Sequence, residues 1–295
     1  MTGAPSGAVI AVAAQLACLL EASAPKPGNV SPGVAFHDTT YEDFLASAVA
    51  IGPAFARAGE GPLGATIRAA VEATARWAPS NTNLGLVLLL APLARAALRP
   101  GAAPLRAKLA ATLAETTQAD AREAYAAIRL AAPGGLGRAP AQDVAGLPTV
   151  TLQQAMALAA DRDAIAREYA TDFRTTFETA TPTLTRARAQ GLPWREATLE
   201  TYLTLLATAP DTHIGRKLGA AAAAAVHARA GAALAAGGVR TPAGRAALAA
   251  LDAELRDGRN TKNPGATADL TAAGIFVVLL DGGWPRGGRT SHGRP

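Results

Sequence analysis

The chain has 295 residues, of which 49% are hydrophobic but only 4% aromatic, so alanine, leucine and valine must supply its core. Alanine and leucine favour helices, and alternating β-branched or aromatic patterns are scarce, which argues against a sheet-based fold. The net charge of +5 comes from Lys and Arg scattered among acidic residues without a basic run, which argues against nucleic-acid binding.

The apolar segments do not fit a signal peptide or a membrane span. The first, at residues 9–20, contains Gln15 and is preceded by no Lys or Arg. The longest others, 84–91 and 272–280, fall far short of the roughly 20 residues that a span requires. A single cysteine, Cys18, excludes an internal disulfide framework and fits a reducing compartment. We therefore expect a cytoplasmic protein without membrane contact.

Helical patterning is almost continuous along the chain and is punctuated by proline and glycine. The predicted helices span residues 7–23, 41–57, 63–77, 83–98, 104–115, 118–131, 151–160, 162–189, 195–208, 214–235, 242–256 and 265–280. They predict an all-α, single-domain bundle of about 10–12 helices over residues 1–281, with a flexible tail at 282–295. The long loop at 132–148 is either a functional loop or a boundary between two halves, and no composition shift supports the boundary.

Four short polar islands interrupt the predicted helical bundle. The first, Pro25–Asn29, follows the first predicted helix. Two prolines fix the backbone on both sides of Lys26, and Gly28 permits a tight turn. A helix stop followed by a solvated lysine would explain the pattern, whereas the stiff presentation of one ammonium group favours a phosphate ligand.

The second and fourth islands each precede a strongly apolar predicted helix. Asn as the cap and Pro in the first turn are the expected start of a helix, so capping explains much of each. A helix N-terminus also offers free N–H groups that bind phosphate. Asp269 falls one turn inside the last predicted helix, where it would hold Mg²⁺ or a ribose hydroxyl. The two islands are Asn81-Thr82-Asn83-Leu84-Gly85 and Asn263-Pro264-Gly265-Ala266-Thr267-Ala268-Asp269.

The third island, Asp211–Lys217, carries two cations, Arg216 and Lys217, in the first turn of the helix predicted over 214–235. The helix dipole disfavours cations there, so we expect an anion to compensate. Further carboxylates, Asp163 among them, lie along one side of the helix predicted over 162–189. A solvated face with local ion pairs explains them, and binding of hydrated Mg²⁺ is the alternative.

Several familiar nucleotide and metal motifs are absent from the sequence. It contains no Gly-x-x-x-x-Gly-Lys-Ser/Thr loop, no Gly-x-Gly-x-x-Gly after a strand and no zinc-type Cys/His spacing. If a nucleoside triphosphate binds, it does so without the usual phosphoryl-transfer loop. This favours chemistry elsewhere on the nucleotide.

Taken in order, the four islands resemble the motifs of the triphosphoribosyl-dephospho-CoA synthase family. The resemblance runs from about residue 21 to 281. It implies an all-helical enzyme that transfers the 5-triphosphoribosyl group of ATP to the ribose 2′-hydroxyl of 3′-dephospho-CoA and releases adenine. In that family the product is the prosthetic-group precursor of acyl carriers in citrate lyase and malonate decarboxylase. The matching motifs are Pro25-Lys26-Pro27-Gly28, Asn81-Thr82-x-x-Gly85, Asp211-Thr212 and Asn263-Pro264-Gly265-x-Thr267-Ala268-Asp269-Leu270.

The resemblance implies roles for individual residues. A carboxylate near C1′ would stabilise an oxocarbenium-like sugar or deprotonate the attacking hydroxyl, and Asp211, Asp269 and Glu21 are the catalytic candidates. Mg²⁺ would be held by Asp211, Asp163 and Asp38. The candidate nucleotide-binding residues are Lys26, Gly28, Asn29, Asn81, Thr82, Asn83, Arg216, Lys217, Asn263, Gly265 and Thr267.

Two departures from the family pattern concern the acceptor. The second motif usually reads Asn-Thr-His-Lys-Gly, but here Asn83-Leu84 replaces the His-Lys pair, and Asp161-Arg162-Asp163 stands in place of a mid-chain Gly-Ala-Arg-Gly-Glu segment. The chain resembles a divergent branch of archaea and methylotrophic bacteria. The alternatives are a ribosylating step in tetrahydromethanopterin-type one-carbon cofactor biosynthesis and a non-catalytic helical nucleotide-binding protein. Alanine-rich helical faces indicate a homodimer.

Overall fold

The computed structural model describes residues 4–284 as a helical protein, and the all-α prediction is confirmed. In these residues the only β feature is an isolated bridge between Ser31 and Val34. The helices are α1 (Gly7–Ser23), α2 (Tyr41–Ala50), α3 (Gly52–Ala56), α4 (Leu63–Ala75), α5 (Leu84–Leu98), α6 (Leu105–Ala114), α7 (Gln118–Ala131), α8 (Leu152–Ala157), α9 (Ala164–Ala170), α10 (Thr181–Ala189), α11 (Trp194–Leu206), α12 (Thr212–Leu218), α13 (Ala220–Ala235), α14 (Pro242–Leu255) and α15 (Gly265–Leu280). A π-helix, Thr176–Ala180, leads into α10, and a 3₁₀ turn, Gly238–Arg240, precedes α14.

The described part of the chain forms more helices than the sequence predicts because three predicted helices are divided. The segment predicted at 41–57 breaks where Pro53, which has no N–H, enters the first turn of α3. The segment at 162–189 breaks where Asp172 and Phe173 adopt φ values of 50° and 56°. The segment at 214–235 breaks at Gly219, whose φ is 88°.

A buried carboxylate stabilises the second of these breaks. Glu168 is completely buried, and its Oε1 accepts a hydrogen bond from the Thr175 N–H at 2.9 Å. Its Oε2 accepts from the N–H and the hydroxyl of Thr176 at 2.8 and 2.6 Å. One side chain therefore satisfies the backbone that α9 no longer supplies with partners.

The core is arranged around α15, which is buried almost all round its circumference. It packs against α1, α5, α10 and α11. A larger hydrophobic cluster joins α1, α5 and α15, and a smaller one is built from α11 to α14 with Ala268 of α15. No helix in residues 4–284 is long and apolar enough to cross a membrane. The tail predicted at 282–295 lies, from residue 285 onward, outside the described residues.

Candidate active site

A cavity of about 840 Å³ brings together residues from all four polar islands. Most of the sequence-predicted site residues line it, whereas Lys26, Gly28, Asp211 and Thr267 lie behind its wall. Its size is at the upper end of the range for small-molecule sites. The predicted residues on its surface are Glu21, Asn29, Asp38, Asn81, Thr82, Asn83, Asp163, Arg216, Lys217, Asn263, Gly265 and Asp269.

The first island holds Glu21 at the cavity. Lys26 is buried, and its Nζ lies 2.9 Å from Glu21 Oε1 and also donates to the carbonyl oxygens of Glu21 and Ala24. The Gly28 N–H donates to Asp252 at 2.8 Å, and the Asn29 side-chain amide donates to the Tyr202 hydroxyl at 3.0 Å. The ammonium group of Lys26 is therefore already paired, and its contacts are those of a positioning residue.

The second island begins α5 with its side chains engaged and part of its backbone free. Asn81 Oδ1 accepts from the Leu84 N–H at 3.0 Å, and the Thr82 hydroxyl lies 2.5 Å from that of Ser47. The Asn83 amide donates to Thr74 at 3.0 Å. Among the described residues, no acceptor meets the N–H groups at 85 and 86 in the first turn. These donors lie at the positive end of the α5 dipole, so they suit an anion.

Asp269 projects from α15 against the start of α5. A Cβ on Gly85 would lie 2.0 Å from Asp269 Oδ2, so the missing side chain at 85 leaves the space that this carboxyl group fills. Burial raises the pKa of Asp269 well above its ordinary value, and the nearby charges of Glu21, Asp211 and Asp163 raise it further. A carboxyl group with a raised pKa suits proton transfer near neutral pH.

The His213 ring fills the space left by the missing side chain of Gly265, as the Asp269 carboxyl group does beside Gly85. A Cβ on Gly265 would lie 2.2 Å from His213 Nδ1, and the imidazole lines the cavity. Burial lowers the pKa of His213 to about 3, with help from the charges of Lys217 and Arg216, so the ring is neutral. His213 is a cavity residue to which the sequence patterns assign no role. The available signal was its place two residues after a capping Asp, at the start of a helix.

The Asp211 side chain links α12 to α15 through hydrogen bonds. Its Oδ1 accepts from the N–H groups of His213 and Ile214 at 2.8 and 3.1 Å. Its Oδ2 accepts from the N–H and hydroxyl of Thr267, both at 2.7 Å. Asp211 and Thr267 thus satisfy each other away from the cavity, and their contacts place His213 and Asp269 on its surface.

Arg216 and Lys217 lie in the last turn of α12, not in the first turn of a long helix, because Gly219 ends α12. The dipole favours cations at this end, so the expected conflict with the helix dipole is absent. Arg216 donates to the Asp163 carboxylate, and in the described residues its buried Nε has no partner. Burial and the Arg216 charge lower the pKa of Lys217, while Asp38 opposes the shift.

The three carboxylates predicted to bind Mg²⁺ do not form one site. Within residues 4–284 no three His, Cys, Asp or Glu side chains come together as a metal-binding group. Asp211 is occupied as described, and Asp163 caps α9 through the N–H groups of Ile165 and Ala166 at 2.9 and 3.0 Å. Asp38 lines the cavity with its side chain half exposed.

The long loop at 132–148 forms one wall of the cavity and packs along α7. The Tyr125 hydroxyl donates to the carbonyl oxygen of Gln142 at 2.5 Å, and Arg129 donates to that of Val144 at 2.7 Å. The loop is therefore fixed to the fold. With α7 and α8 it contributes an aliphatic surface made of Ile128, Leu130, Leu136, Leu152, Met156 and Leu158.

Fold and cavity together define a class, an all-helical protein whose nucleotide-sized site combines carboxylates, cations and a free helix N-terminus. Residues 8–287 match the model of the CitG family, described as ATP:dephospho-CoA triphosphoribosyl transferase, and the chain belongs to this family of cofactor-biosynthesis transferases.

Individual relatives agree with this assignment. The chain is 37% identical over 103 residues to the 2-(5″-triphosphoribosyl)-3′-dephosphocoenzyme-A synthase of Klebsiella pneumoniae, a match that covers 35% of this chain and 36% of the relative. A provisionally named synthase of Pseudomonas paraeruginosa is 37% identical over 106 residues, with the same shares covered. The chain thus matches about a third of the length of these relatives.

A solved structure extends the similarity to most of the fold. It comes from Archaeoglobus fulgidus and carries the provisional name triphosphoribosyl-dephospho-CoA synthase. The two chains are 28% identical with a TM-score of 0.62, and the match covers 81% of this chain and 99% of the other.

Proposed function

We propose that this protein transfers the 5-triphosphoribosyl group of ATP to the ribose 2′-hydroxyl of 3′-dephospho-CoA and releases adenine. The observation that carries the proposal is the convergence of Glu21 and Asp269 with Arg216 and the start of α5 on one cavity. Because the bond that breaks is at C1′ of the donor ribose, the triphosphate stays intact and serves as a handle. This agrees with the absence of a phosphoryl-transfer loop.

In this reaction the acceptor oxygen bonds to C1′ as the bond from C1′ to adenine N9 breaks. Adenine leaves with the electron pair and takes up a proton, while the hydroxyl proton passes to a carboxylate. We assign that carboxylate to Asp269, whose raised pKa suits it to accept a proton. Glu21, held by Lys26, faces the positive charge that develops on the sugar.

Unpaired donors around the cavity supply binding groups for the triphosphate. The free N–H groups at the start of α5 and the Nε of Arg216 have no protein acceptor in the described residues. The buried Oδ1 of Asn263 likewise has no donor, and it matches a hydroxyl or amino group of the nucleotide. Each is a polar group that a bound nucleotide would satisfy.

Mg²⁺ fits this site as an ion that arrives with ATP. Mg²⁺ is commonly bound by one or two carboxylates together with substrate phosphates, so a three-carboxylate protein cage is not required. Asp38 lines the cavity close enough to Lys217 to affect its pKa, and it is our candidate ligand. The bound ion would neutralise phosphate charge. A reaction that consumes ATP also agrees with the expected cytoplasmic location.

Release of adenine from ATP, Mg²⁺ and 3′-dephospho-CoA tests the proposal directly. We expect release with the pure protein and its loss in Asp269→Asn. Asp281→Asn is the matched control, because Asp281 caps the opposite end of the same helix, α15, and lies outside the cavity. Release only with a pterin-type acceptor would retain the class and exclude this substrate. ATP binding without release under any condition would indicate a non-catalytic nucleotide-binding protein.

A further inference from the structure

We propose that the aliphatic wall of the cavity binds the pantetheine arm of the acceptor, with Lys217 at the diphosphate from which that arm begins. This inference rests on the proposed function and assigns a part of the substrate to residues that no motif covers. The aliphatic wall is the surface formed by Ile128, Leu130, Leu136, Leu152, Met156 and Leu158, on α7, α8 and the long loop.

Three leucines of this wall are unusually exposed. Leu130, Leu136 and Leu158 are 49%, 42% and 59% exposed, yet all three line the cavity. Apolar side chains grouped at the mouth of a polar site are typical of a ligand-binding surface. They provide area for an uncharged chain that enters from solvent.

The residue types of this surface favour a flexible aliphatic chain over a purine. Its members are leucines, an isoleucine and a methionine, which adapt to irregular aliphatic ligands. Phe36 and Phe44 line the cavity together with Thr74 and Ala78 of the α4 region and offer rings on which a base can stack. Tyr125 of α7 also lines the cavity, but it is only 5% exposed and its hydroxyl is bonded to the long loop. We therefore assign the purine of the donor to the phenylalanines and the arm of the acceptor to the aliphatic wall.

The loop also offers polar groups at intervals along the wall. Among the described residues, the backbone N–H groups from 134 to 137 have no protein acceptor. Gly134, Leu136 and Gly137 line the cavity. A pantetheine arm is a chain of methylene groups with two amides, so it requires apolar contact with a few backbone-type hydrogen bonds. The wall offers both.

Lys217 stands where the wall meets the polar end of the site. A Cβ on Gly135 would lie 3.3 Å from Lys217 Cγ, and one on Gly134 would lie 3.5 Å from its Cε. The lysine stem thus lies close to the long loop, and Lys217 lines the cavity. In dephospho-CoA the diphosphate lies between the nucleoside and the pantetheine arm. Lys217 likewise lies between the polar end of the site and the aliphatic wall, so charge and apolar surface follow in the same order in ligand and site.

The test compares 3′-dephospho-CoA with ADP, which keeps the nucleoside diphosphate and lacks the arm. We expect the double variant Leu136→Ser/Leu158→Ser to lower the preference in kcat/KM for dephospho-CoA over ADP by about tenfold. Lys217→Met should weaken both acceptors. Leu147→Ser is the matched control, because Leu147 lies on the same loop, is 76% exposed and does not line the cavity. Thermal melts of all variants verify folding.

Calorimetric titrations separate this inference from the proposed function. They use the Asp269→Asn protein saturated with ATP and Mg²⁺, so that the donor site is filled and no turnover consumes the ligand. Tighter binding of dephospho-CoA than of ADP, reduced about tenfold by the leucine substitutions, supports the arm subsite even if the unsubstituted protein releases no adenine. Equal binding of the two ligands, or equal weakening of both by the leucine substitutions, overturns it.

Discussion

Gly85 and Gly265 act through the volume they leave free for Asp269 and His213. We predict that Gly85→Ala displaces the Asp269 carboxyl group and lowers kcat by about 100-fold, because small misplacements of reacting groups are costly. Adenine release measures this. Gly231→Ala in α13, where no atom lies within 4 Å of the added Cβ, is the control and should retain full activity. Equal activity of both variants would show that Asp269 tolerates displacement.

We expect the Asp269 side chain to lower the stability of the fold near neutral pH while it supports activity. Its pKa in the folded protein is raised, so its protonated form favours the fold, and this contribution is lost as pH rises through that pKa. We predict that Asp269→Asn lowers kcat about 100-fold and raises the melting temperature near pH 8, with little change near pH 4. Melting curves at both pH values and adenine release provide the measurements. A lower melting temperature near pH 8 would contradict the assignment.

The buried ion pair between Lys26 and Glu21 yields a different prediction. Lys26→Met leaves a buried carboxylate without its cation and should destabilise the protein by about 3 kcal/mol. The double variant Glu21→Gln/Lys26→Met should recover much of that stability, which urea denaturation measures. If Lys26→Met instead raises the KM for ATP and leaves stability unchanged, Lys26 is the phosphate ligand that the sequence predicts.

The sequence identified the four islands that meet at the cavity, but not the direction of their side chains. Pro25–Asn29 and Asp211 were recognisable as unusual because rigid or charged residues interrupt apolar helices. Their contacts are long-range, however, such as those of Asp211 with Thr267 and of Asn29 with Tyr202. Local patterns carry no information about a partner 56 or 173 residues away. For this reason the sequence predicts Lys26 and Asp211 as ligands, whereas in the structure both lie behind the cavity wall.

Among the elements, the break between α9 and α10 depends on Glu168. Glu168→Ala would leave two N–H groups and a hydroxyl without an acceptor in a buried position, so we predict a loss of about 3 kcal/mol in the free energy of unfolding. Glu178→Ala is the comparison, because Glu178 pairs with Arg106 at the surface and should cost less than about 1 kcal/mol. Equal losses in urea denaturation would contradict the role of Glu168.

Helix positions were predictable from periodicity, whereas two of the three breaks were not. Gly219 and the pair Asp172 and Phe173 adopt left-handed backbone conformations inside segments that read as continuous helices. A single glycine in an alanine-rich run is compatible with an unbroken helix, and φ values of Asp and Phe are set by tertiary contacts. The break at Gly219 has a functional result, because it moves Arg216 and Lys217 to a helix C-terminus.

For the whole molecule, we predict one cooperative unfolding transition. The smaller hydrophobic cluster of α11 to α14 joins the rest through Ala268 of α15, and α15 is also central to the larger cluster. Scanning calorimetry of residues 1–281 should show one peak, shifted upward by ATP with Mg²⁺. Two separated peaks would assign α11 to α14 to an independent unit.

The homodimer remains a prediction, which light scattering would test.

The attachment of the long loop has a consequence for how this family diversifies. Its hydrogen bonds return to α7 and to the loop itself, so its exposed residues can change without disturbing the core around α15. Gly85 and Gly265, by contrast, are fixed by contacts with chemical groups of the site. Natural or laboratory selection for a new acceptor should therefore accumulate substitutions and length changes between 132 and 148, while Gly85 and Gly265 are retained.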